Sequence, residues 1–357
     1  MTRRFVWCEP GDGAESRPGL AEWTIHCRDL LIAAVRQRAT LRRIDMKADR
    51  FIGCVLGLAT GDAMGAPYEG GPLERGIWRL IGKTRDGCLR WTDDTQMAID
   101  LAESLLADGH VAPDRLAKRF AFSYRWSRGY GPGARKVLRR IRRGEPWEQA
   151  VHRGFPGGSY GNGAAMRAPV VALFFAHDRR QTIASARTSA RVTHAHPLGV
   201  EGAVMIAVAA HSLLAGDSIE QMVDAVRAEC SMPEMCMRMD RVAEWMQRDE
   251  QPGPKDVACH LGNGTSAPTS CPTALYVAAR HMNKSFEEMM RFVTACRGDV
   301  DTIAAMAGAL WGIRNGYERL PPVRLESRAL LVSIATRLYG EQARVGHAEP
   351  ADAADSR

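Results

Sequence analysis

Apolar residues recur at three- and four-residue spacing over one segment after another of this chain, as in Met97, Leu101 and Leu105 or in Ile303, Met306, Ala307 and Leu310. That period places them on one face of an α-helix, whereas a half-buried strand needs strict alternation. Continuous Val/Ile-rich runs are nearly absent. A chain so patterned can bury its stripes only helix against helix, so the fold class is all-α. The spacing predicts helices over roughly 50–65, 94–108, 113–126, 133–143, 164–176, 181–191, 198–215, 219–229, 237–247, 272–281, 286–296, 302–316 and 324–345. Within the first of these, Gly57, Gly61 and Gly65 stand four apart, which points to backbones in close approach.

Residues 1–45 differ from the rest of the chain, mixing a Gly/Pro-containing opening with one amphipathic stretch, and tight patterning begins at Met46. We expect an N-terminal extension over 1–45, read either as an interaction arm or as an over-extended start. After it we expect a single domain over 46–345 and a disordered tail over 346–357. A composition of 45% hydrophobic and 25% charged residues excludes a disordered chain. No apolar run reaches the roughly 18 residues of a membrane span, so a soluble protein without a membrane partner is expected. The nine cysteines fall without CxxC or zinc-finger spacing, which argues against a disulfide framework and a thiolate metal site. With no apolar leader, they fit the cytoplasm. The net charge of +7 is densest over 134–145, where Val137, Leu138 and Ile141 share the same helix, so a solvated helix face is the simplest reading. No helix-turn-helix, zinc finger or aromatic-interleaved module accompanies it, so nucleic acid is not indicated beyond the charge.

Two acidic corners precede predicted helices. One holds Thr92, Asp93, Asp94 and Thr95, the other Asp299, Asp301 and Thr302. Capping the first-turn N–H groups needs one side chain, and each corner has more than one. Carboxylates and hydroxyls without His or Cys form a hard-oxygen set suited to Mg²⁺, Mn²⁺ or Ca²⁺. If the corners converged, four carboxylates would need cations to neutralise them, and two divalent ions would balance the charge. Spacing alone leaves open whether they meet.

Between the corners lie two glycine-rich loops, "RGYGPGARK" at 128–136 and "GFPGGSYGNGAAMRAP" at 154–169. Such loops are ordinary turns or, at a helix entry, phosphate cradles. An aromatic beside each, Tyr130 and Tyr160, suits a ligand with both a phosphate and a flat ring. His194 and His196 match no zinc pattern and read as capping or core groups. Ser159 lacks a nucleophile elbow, so a covalent serine hydrolase is not supported.

In order along the chain, "GLATGDAMGAPYE", "WTDDTQMA", "RGYGPG", "GGSYGNGAAMR", "RVTHAHPLG" and "GDVDTIAAMAGAL" resemble the ADP-ribosylglycohydrolase family over about residues 50–320. The resemblance implies a compact, orthogonal multi-helix fold with a binuclear Mg²⁺ centre, Mn²⁺ being a possible substitute, and hydrolysis of the bond from ribose C1″ of ADP-ribose to an acceptor. It implies Thr92, Asp93, Asp94, Asp299, Asp301 and Thr302 as the metal set and Glu69 as the catalytic carboxylate. It further implies Gly158, Ser159, Tyr160 and Asn162 as the loop holding the distal ribose and diphosphate. His194 becomes a ribose-side contact, and Tyr130, Gly131 and Gly133 the opposite wall. The implied partners are ADP-ribosylated proteins or ADP-ribose-containing small molecules, with the chain a monomer.

Arginine-directed members of the family carry acidic residues in the segment corresponding to "RGYGPG" and just before "GNGAAMR". This chain has Tyr130 and "GGSY" there and resembles the branch acting on O-linked ADP-ribose, including ADP-ribosyl-serine, poly(ADP-ribose) and O-acetyl-ADP-ribose. Arg297 stands where many relatives have the first glycine of Gly-Gly-Asp. The competing readings are an arginine-directed hydrolase, a binding or immunity protein that sequesters an ADP-ribosylating partner through the cleft or through residues 1–45, and a basic nucleic-acid-binding protein resting on charge alone.

Overall fold

The computed structural model describes residues 46–347 except 249, so the expectations placed on 1–45 and on 348–357 lie outside the described residues. The first half of the described chain forms α1 (Met46–Gly65), α2 (Pro72–Ile81), α3 (Asp93–Asp108), α4 (Pro113–Ser123), α5 (Pro132–Arg142), α6 (Trp147–Gly154), α7 (Pro169–Phe174) and α8 (Arg179–Arg191). The second half forms α9 (Pro197–Ala215), α10 (Ile219–Arg227), α11 (Pro233–Met246), α12 (Pro254–His260), α13 (Ala267–His281), α14 (Phe286–Cys296), α15 (Val300–Asn315) and α16 (Arg328–His347). Strand pairing among the described residues is limited to three isolated bridges. The fold is all-α.

Its centre is a glycine-lined crossing of α1 with α15. A Cβ on Gly61 would stand 2.1 Å from the Ala304 carbonyl oxygen, one on Gly57 2.2 Å from that of Gly308, and one on Gly53 2.2 Å from that of Gly312. The partner's numbers rise as those of α1 fall, so the helices run antiparallel with their backbones in contact. Each glycine costs a helix interior roughly 0.5–1 kcal/mol relative to alanine, offset here by the dispersion contacts of two surfaces with no side chains between them. The last of the series fixes the site. A Cβ on Gly65 would stand 2.5 Å from Asp301 Cα, so the C-terminal end of α1 lies against the second acidic corner.

Three helices were not expected. Helices α6 and α12 have eight and seven residues, about two turns each and too short to show a repeating apolar period. The apolar residues of α2 are hidden in a Gly/Pro-bracketed stretch and several point outward, Leu73 and Leu80 being 72% and 85% exposed while Trp78 turns inward. The helix expected over 164–176 shrinks to α7, because Pro169 opens a new helix at its first position after a 3₁₀ turn over Asn162–Ala164. Conversely α13 starts at Ala267, with Pro268 in its first turn and Pro272 accommodated inside it. Helix α9 corrects the absence of any span-length apolar segment, since by length and composition it could cross a membrane. It is instead packed as a core helix, with 72% of its most apolar window buried inside the protein.

Candidate active site

Helix α3 begins at Asp93 because the Thr92 side chain caps it, accepting the Asp94 N–H at 3.3 Å. That bond engages the Thr92 hydroxyl and leaves the Asp94 carboxylate free of capping duty. The start of α15 differs. Asp299 occupies the N-cap position without a side-chain cap bond. Its carboxylate accepts from the Asn162 side-chain amide at 2.5 Å, and its N–H donates to the Asn263 carbonyl at 2.8 Å. Asn162 is held in turn through its donation to the Ser270 hydroxyl at 3.0 Å.

The two corners converge. Thr302 donates its hydroxyl to Asp94 Oδ1 at 3.4 Å across 208 positions of chain. Carboxylate oxygens of Asp62, Asp94 and Asp301 lie within 4.8 Å of one another, as do those of Glu69, Asp299 and Asp301. Asp301 is common to both groups. Asp62 was missed from the sequence, although "GLATGD" carried a signal. It is an acid inside an apolar helix with Leu58, Ala59, Gly65 and Ala66 at the i±3 and i±4 positions, so no cation on its own helix can balance it. It is fully buried and accepts from the Thr92 N–H at 2.9 Å, the Thr95 N–H at 3.1 Å and the Thr95 hydroxyl at 2.5 Å. Asp93, half-buried at the edge of the cluster, belongs to neither group of three.

Burial pushes the Asp62 carboxyl up to about 6 despite these bonds, and burial with the charge of Glu69 raises Asp299 to about 7. Burial and then mutual repulsion hold Asp93, Asp94 and Asp301 well above the usual carboxylate range. Asp94 Oδ2 is buried and accepts no hydrogen bond. Five acids offering only hard oxygens, one with an orphaned buried oxygen, fit a divalent cation centre. Glu69, partly exposed where the short 3₁₀ turn Ala66–Tyr68 ends, gives the cluster its open side.

The glycine loop 157–163 closes around His194. A Cβ on Gly158, which has φ +87°, would stand 2.4 Å from the His196 nitrogen, and one on Gly161 would stand 3.2 Å from His194 Nε2. Only glycine can occupy such a position without displacing backbone. Ser159 Oγ accepts the Gly161 N–H at 3.2 Å, so it serves the turn. The Tyr160 ring is 53% exposed and meets His196 edge-on with centroids 5.4 Å apart. Buried Arg167 organises the other side, donating to the Thr193 hydroxyl and the Ser189 carbonyl, each at 2.9 Å, and to the Gly163 carbonyl. The Thr193 hydroxyl meets His194 Nδ1 at 2.8 Å. Burial and the Arg167 charge hold the His194 imidazole down at about 3, so it is neutral.

The wall expected from "RGYGPG" is arranged otherwise. Tyr130 is 5% exposed, edge-on to Tyr124, so its ring is not open to a ligand. Gly133 gives room to Phe155, which a Cβ there would meet at 2.1 Å, while Gly131 is exposed with open space around it. Gly129 reaches the cluster, since a Cβ on it would stand 3.7 Å from Asp93 Oδ1. The loop is anchored by Arg128, which lies 3.5 Å over the Trp91 ring, donates to the Trp91 carbonyl at 2.8 Å and forks onto Glu326 at 2.7 and 2.9 Å. The sequence did not single out Arg128 or Glu326.

A model of the ADP-ribosylglycohydrolase family matches residues 43–348. The chain belongs to that family. ADP-ribosylhydrolase ARH3 of Danio rerio is 33% identical over 338 residues, covering 82% of this chain and 91% of that protein. The Homo sapiens protein of the same name is 31% identical over 318 residues, covering 76% and 87%. A solved structure described as an ADP-ribosylglycohydrolase-related protein complex superposes with a TM-score of 0.63 at 29% identity, covering 84% of this chain and 99% of that one. Family membership identifies this chain as a glycosyl-bond hydrolase acting on ADP-ribosylated substrates, and in an ADP-ribosylglycohydrolase the acidic cluster is the place to look for the metal.

Proposed function

We propose that this chain is an Mg²⁺-dependent hydrolase that cleaves the bond between ribose C1″ of ADP-ribose and an oxygen of its acceptor. The observation carrying the metal part is the pair of carboxylate groups sharing Asp301, with the buried Asp94 Oδ2 unbonded. Two ions held among Asp62, Asp94, Asp299 and Asp301 would offset the acids' charge, anchor the ribose hydroxyls and stabilise developing charge, leaving the Glu69 carboxylate on the open side as a base.

The remaining steps belong to the chain's own groups. The glycine loop 157–163 offers backbone N–H groups to the diphosphate, and neutral His194 beside it adds no charge. Glu69, on the open side, orients a water molecule toward C1″ and takes its proton as the new C–O bond forms. The acceptor oxygen leaves with the electron pair of the broken bond and regains a proton, giving free ADP-ribose and the unmodified acceptor. The O-linked preference is supported by Tyr130 and "GGSY" in place of the acids of arginine-directed relatives. The seven cysteines among the described residues are all free, in keeping with a cytoplasmic site of action.

The test is release of ADP-ribose from matched peptides modified on serine or on arginine, each with Mg²⁺ and with EDTA. EDTA-sensitive release from the serine peptide alone is expected. Release from the arginine peptide alone would overturn the acceptor assignment, and EDTA-insensitive release the metal assignment. Glu69→Gln should lower kcat while leaving the affinity for ADP-ribose nearly unchanged. Equal loss of both would make Glu69 a binding residue.

A further inference from the structure

Beside the acidic cluster lies a surface of opposite character that the hydrolase reading does not use. Trp126 and Phe122 are each 76% exposed, an unusual exposure for large aromatics in a chain that buries most of its core so completely. Phe122 ends the outer face of α4, one turn beyond Lys118, and these two with Arg115 and Arg119 line an open hollow of about 490 Å³ against the end of α3. Trp126 follows three residues after the helix, next to exposed Arg125, whose guanidinium donates to the Phe122 and Tyr124 carbonyls at 3.1 Å each. The basic face of α5 joins the same strip, because Arg139 stands 5.8 Å over the Tyr124 ring.

Positive charge is in excess here. Among the described residues Lys118, Arg119, Arg125 and Arg139 form no ion pair. Of the nearby acids, Asp108 is taken by Arg115 at 2.8 Å and Glu103 by Arg337 at 2.6 Å, while Asp100 is buried against Ser123 with Arg119 and Arg125 in its field, and exposed Asp114 lies one turn before Lys118 without pairing to it. The arrangement differs from a protein-binding patch, whose centre is depleted of charge. It differs equally from a purely electrostatic surface, which has no need of exposed rings. Unpaired cations flanking two open aromatic faces match the requirements of an unpaired nucleotide strand, with phosphates neutralised and bases stacked. A duplex hides its base faces and cannot use the rings.

We propose that the α4–Trp126 strip, with Lys118, Arg119, Phe122, Arg125, Trp126 and Arg139, binds single-stranded nucleic acid. The basic run at 134–145 has no interleaved aromatics of its own, and a neighbouring segment of the fold supplies them. The strip also continues into the site. Arg128 and Gly129, immediately beyond the 3₁₀ turn's exposed tryptophan, are the residues that grip Trp91 and border Asp93. A bound strand therefore lies alongside the acidic cluster.

The proposal does not depend on the hydrolase reading, and its test uses unmodified nucleic acid so that either can fail alone. Binding of the full chain to a fluorescein-labelled 20-nucleotide oligothymidine and to a blunt 20-base-pair duplex would be followed by anisotropy, in EDTA, between 50 and 200 mM NaCl. With about four phosphates neutralised, log K should fall with log salt at a slope of about −3. Trp126→Ala and Phe122→Ala should each weaken oligothymidine binding by roughly tenfold with the slope unchanged. Lys118→Ala or Arg119→Ala should lessen the slope by about one. Circular dichroism melts would verify that these exposed substitutions leave the fold intact. Failure to bind the oligothymidine at 50 mM NaCl, binding indifferent to both aromatic substitutions, or duplex bound as tightly as single strand would each overturn it.

Discussion

The two acidic corners sit at equivalent places, each at the start of a helix, yet they are built in opposite ways. At α3 the cap, the acids and the helix are neighbours in sequence, so Thr92 takes the first-turn N–H and frees Asp94. At α15 the Asp299 carboxylate is bonded locally to Asp301 and Thr302 but also accepts from Asn162, and its N–H donates to the Asn263 carbonyl, 137 and 36 positions away. The first corner's cap is local, whereas the second's supports are partly long-range. The shared residue, Asp301, lies on the second and is positioned by its contact with Gly65 at the end of α1.

The two corners have Asp301 in common, and its loss should have the largest effect. Asp301→Asn subtracts a charged oxygen from both carboxylate groups at once. Turnover should fall by more than about a hundredfold, a greater cost than substitutions of supporting residues exact at metal sites. Titration calorimetry should show the loss of Mg²⁺ binding that accompanies it. Unchanged turnover would mean that the two groups do not act as one centre.

Substitutions outside Asp301 act on one corner at a time. Asn162→Ala strips Asp299 of its long-range donor, and a fall in kcat/KM of roughly 10- to 100-fold is expected from its supporting position. Thr92→Val removes a local cap worth about 1 kcal/mol and should lower the melting temperature with less effect on turnover. The reverse order of effects would show that the local corner, not the long-range one, controls the chemistry.

This division also explains what the sequence revealed. Thr92, Asp93 and Asp94 were legible because capping chemistry and helical period act over four residues, and the excess of acids stood out against a single capping need. The all-α class was legible for the same reason. Asp62 was only hinted at by its place inside an apolar helix, since contacts with the distant Thr92, Thr95 and Asp301 make it part of a cluster. The burial of Tyr130 and the Arg128–Glu326 anchor were not legible, both being set by contacts between distant segments. Glycines four apart announced a close approach without naming the partner helix.

Acidity provides a third test, now of the cluster as a whole. Carboxyls held above their unfolded value of about 3.8, with Asp62 at about 6 and Asp299 at about 7, make the folded state bind more protons than the unfolded one. Their stabilising contribution is complete below about pH 4 and is lost as pH rises toward 7. Each tenfold difference in proton affinity between the folded and unfolded chain is worth about 1.4 kcal/mol. In EDTA the melting temperature should therefore fall across pH 4–7 to an extent corresponding to a few kcal/mol. Saturating Mg²⁺ should reverse the loss at pH 7 by binding the charged acids. A profile that rises with pH and ignores Mg²⁺ would contradict the cluster's mutual repulsion.

The smallest expected effect lies at the entrance to the second corner. Arg297 closes α14 with φ 60° and ψ −163°, a region that essentially only glycine occupies without strain, and Gly298 follows with φ 75° against the Asn263 carbonyl. Such a residue costs of order 1–3 kcal/mol, whereas replacing it with glycine returns roughly 0.5–1 kcal/mol of chain entropy to the unfolded state. Arg297→Gly should therefore stabilise the protein by about 1 kcal/mol, readable as a higher urea midpoint at unchanged slope. The α3 corner has no counterpart, since Thr92 caps it in ordinary extended backbone at φ −96°. Destabilisation by Arg297→Gly would mean that the exposed guanidinium contributes more to the folded state than its backbone costs, and that the long-range corner is held by charge as well as by the two asparagines.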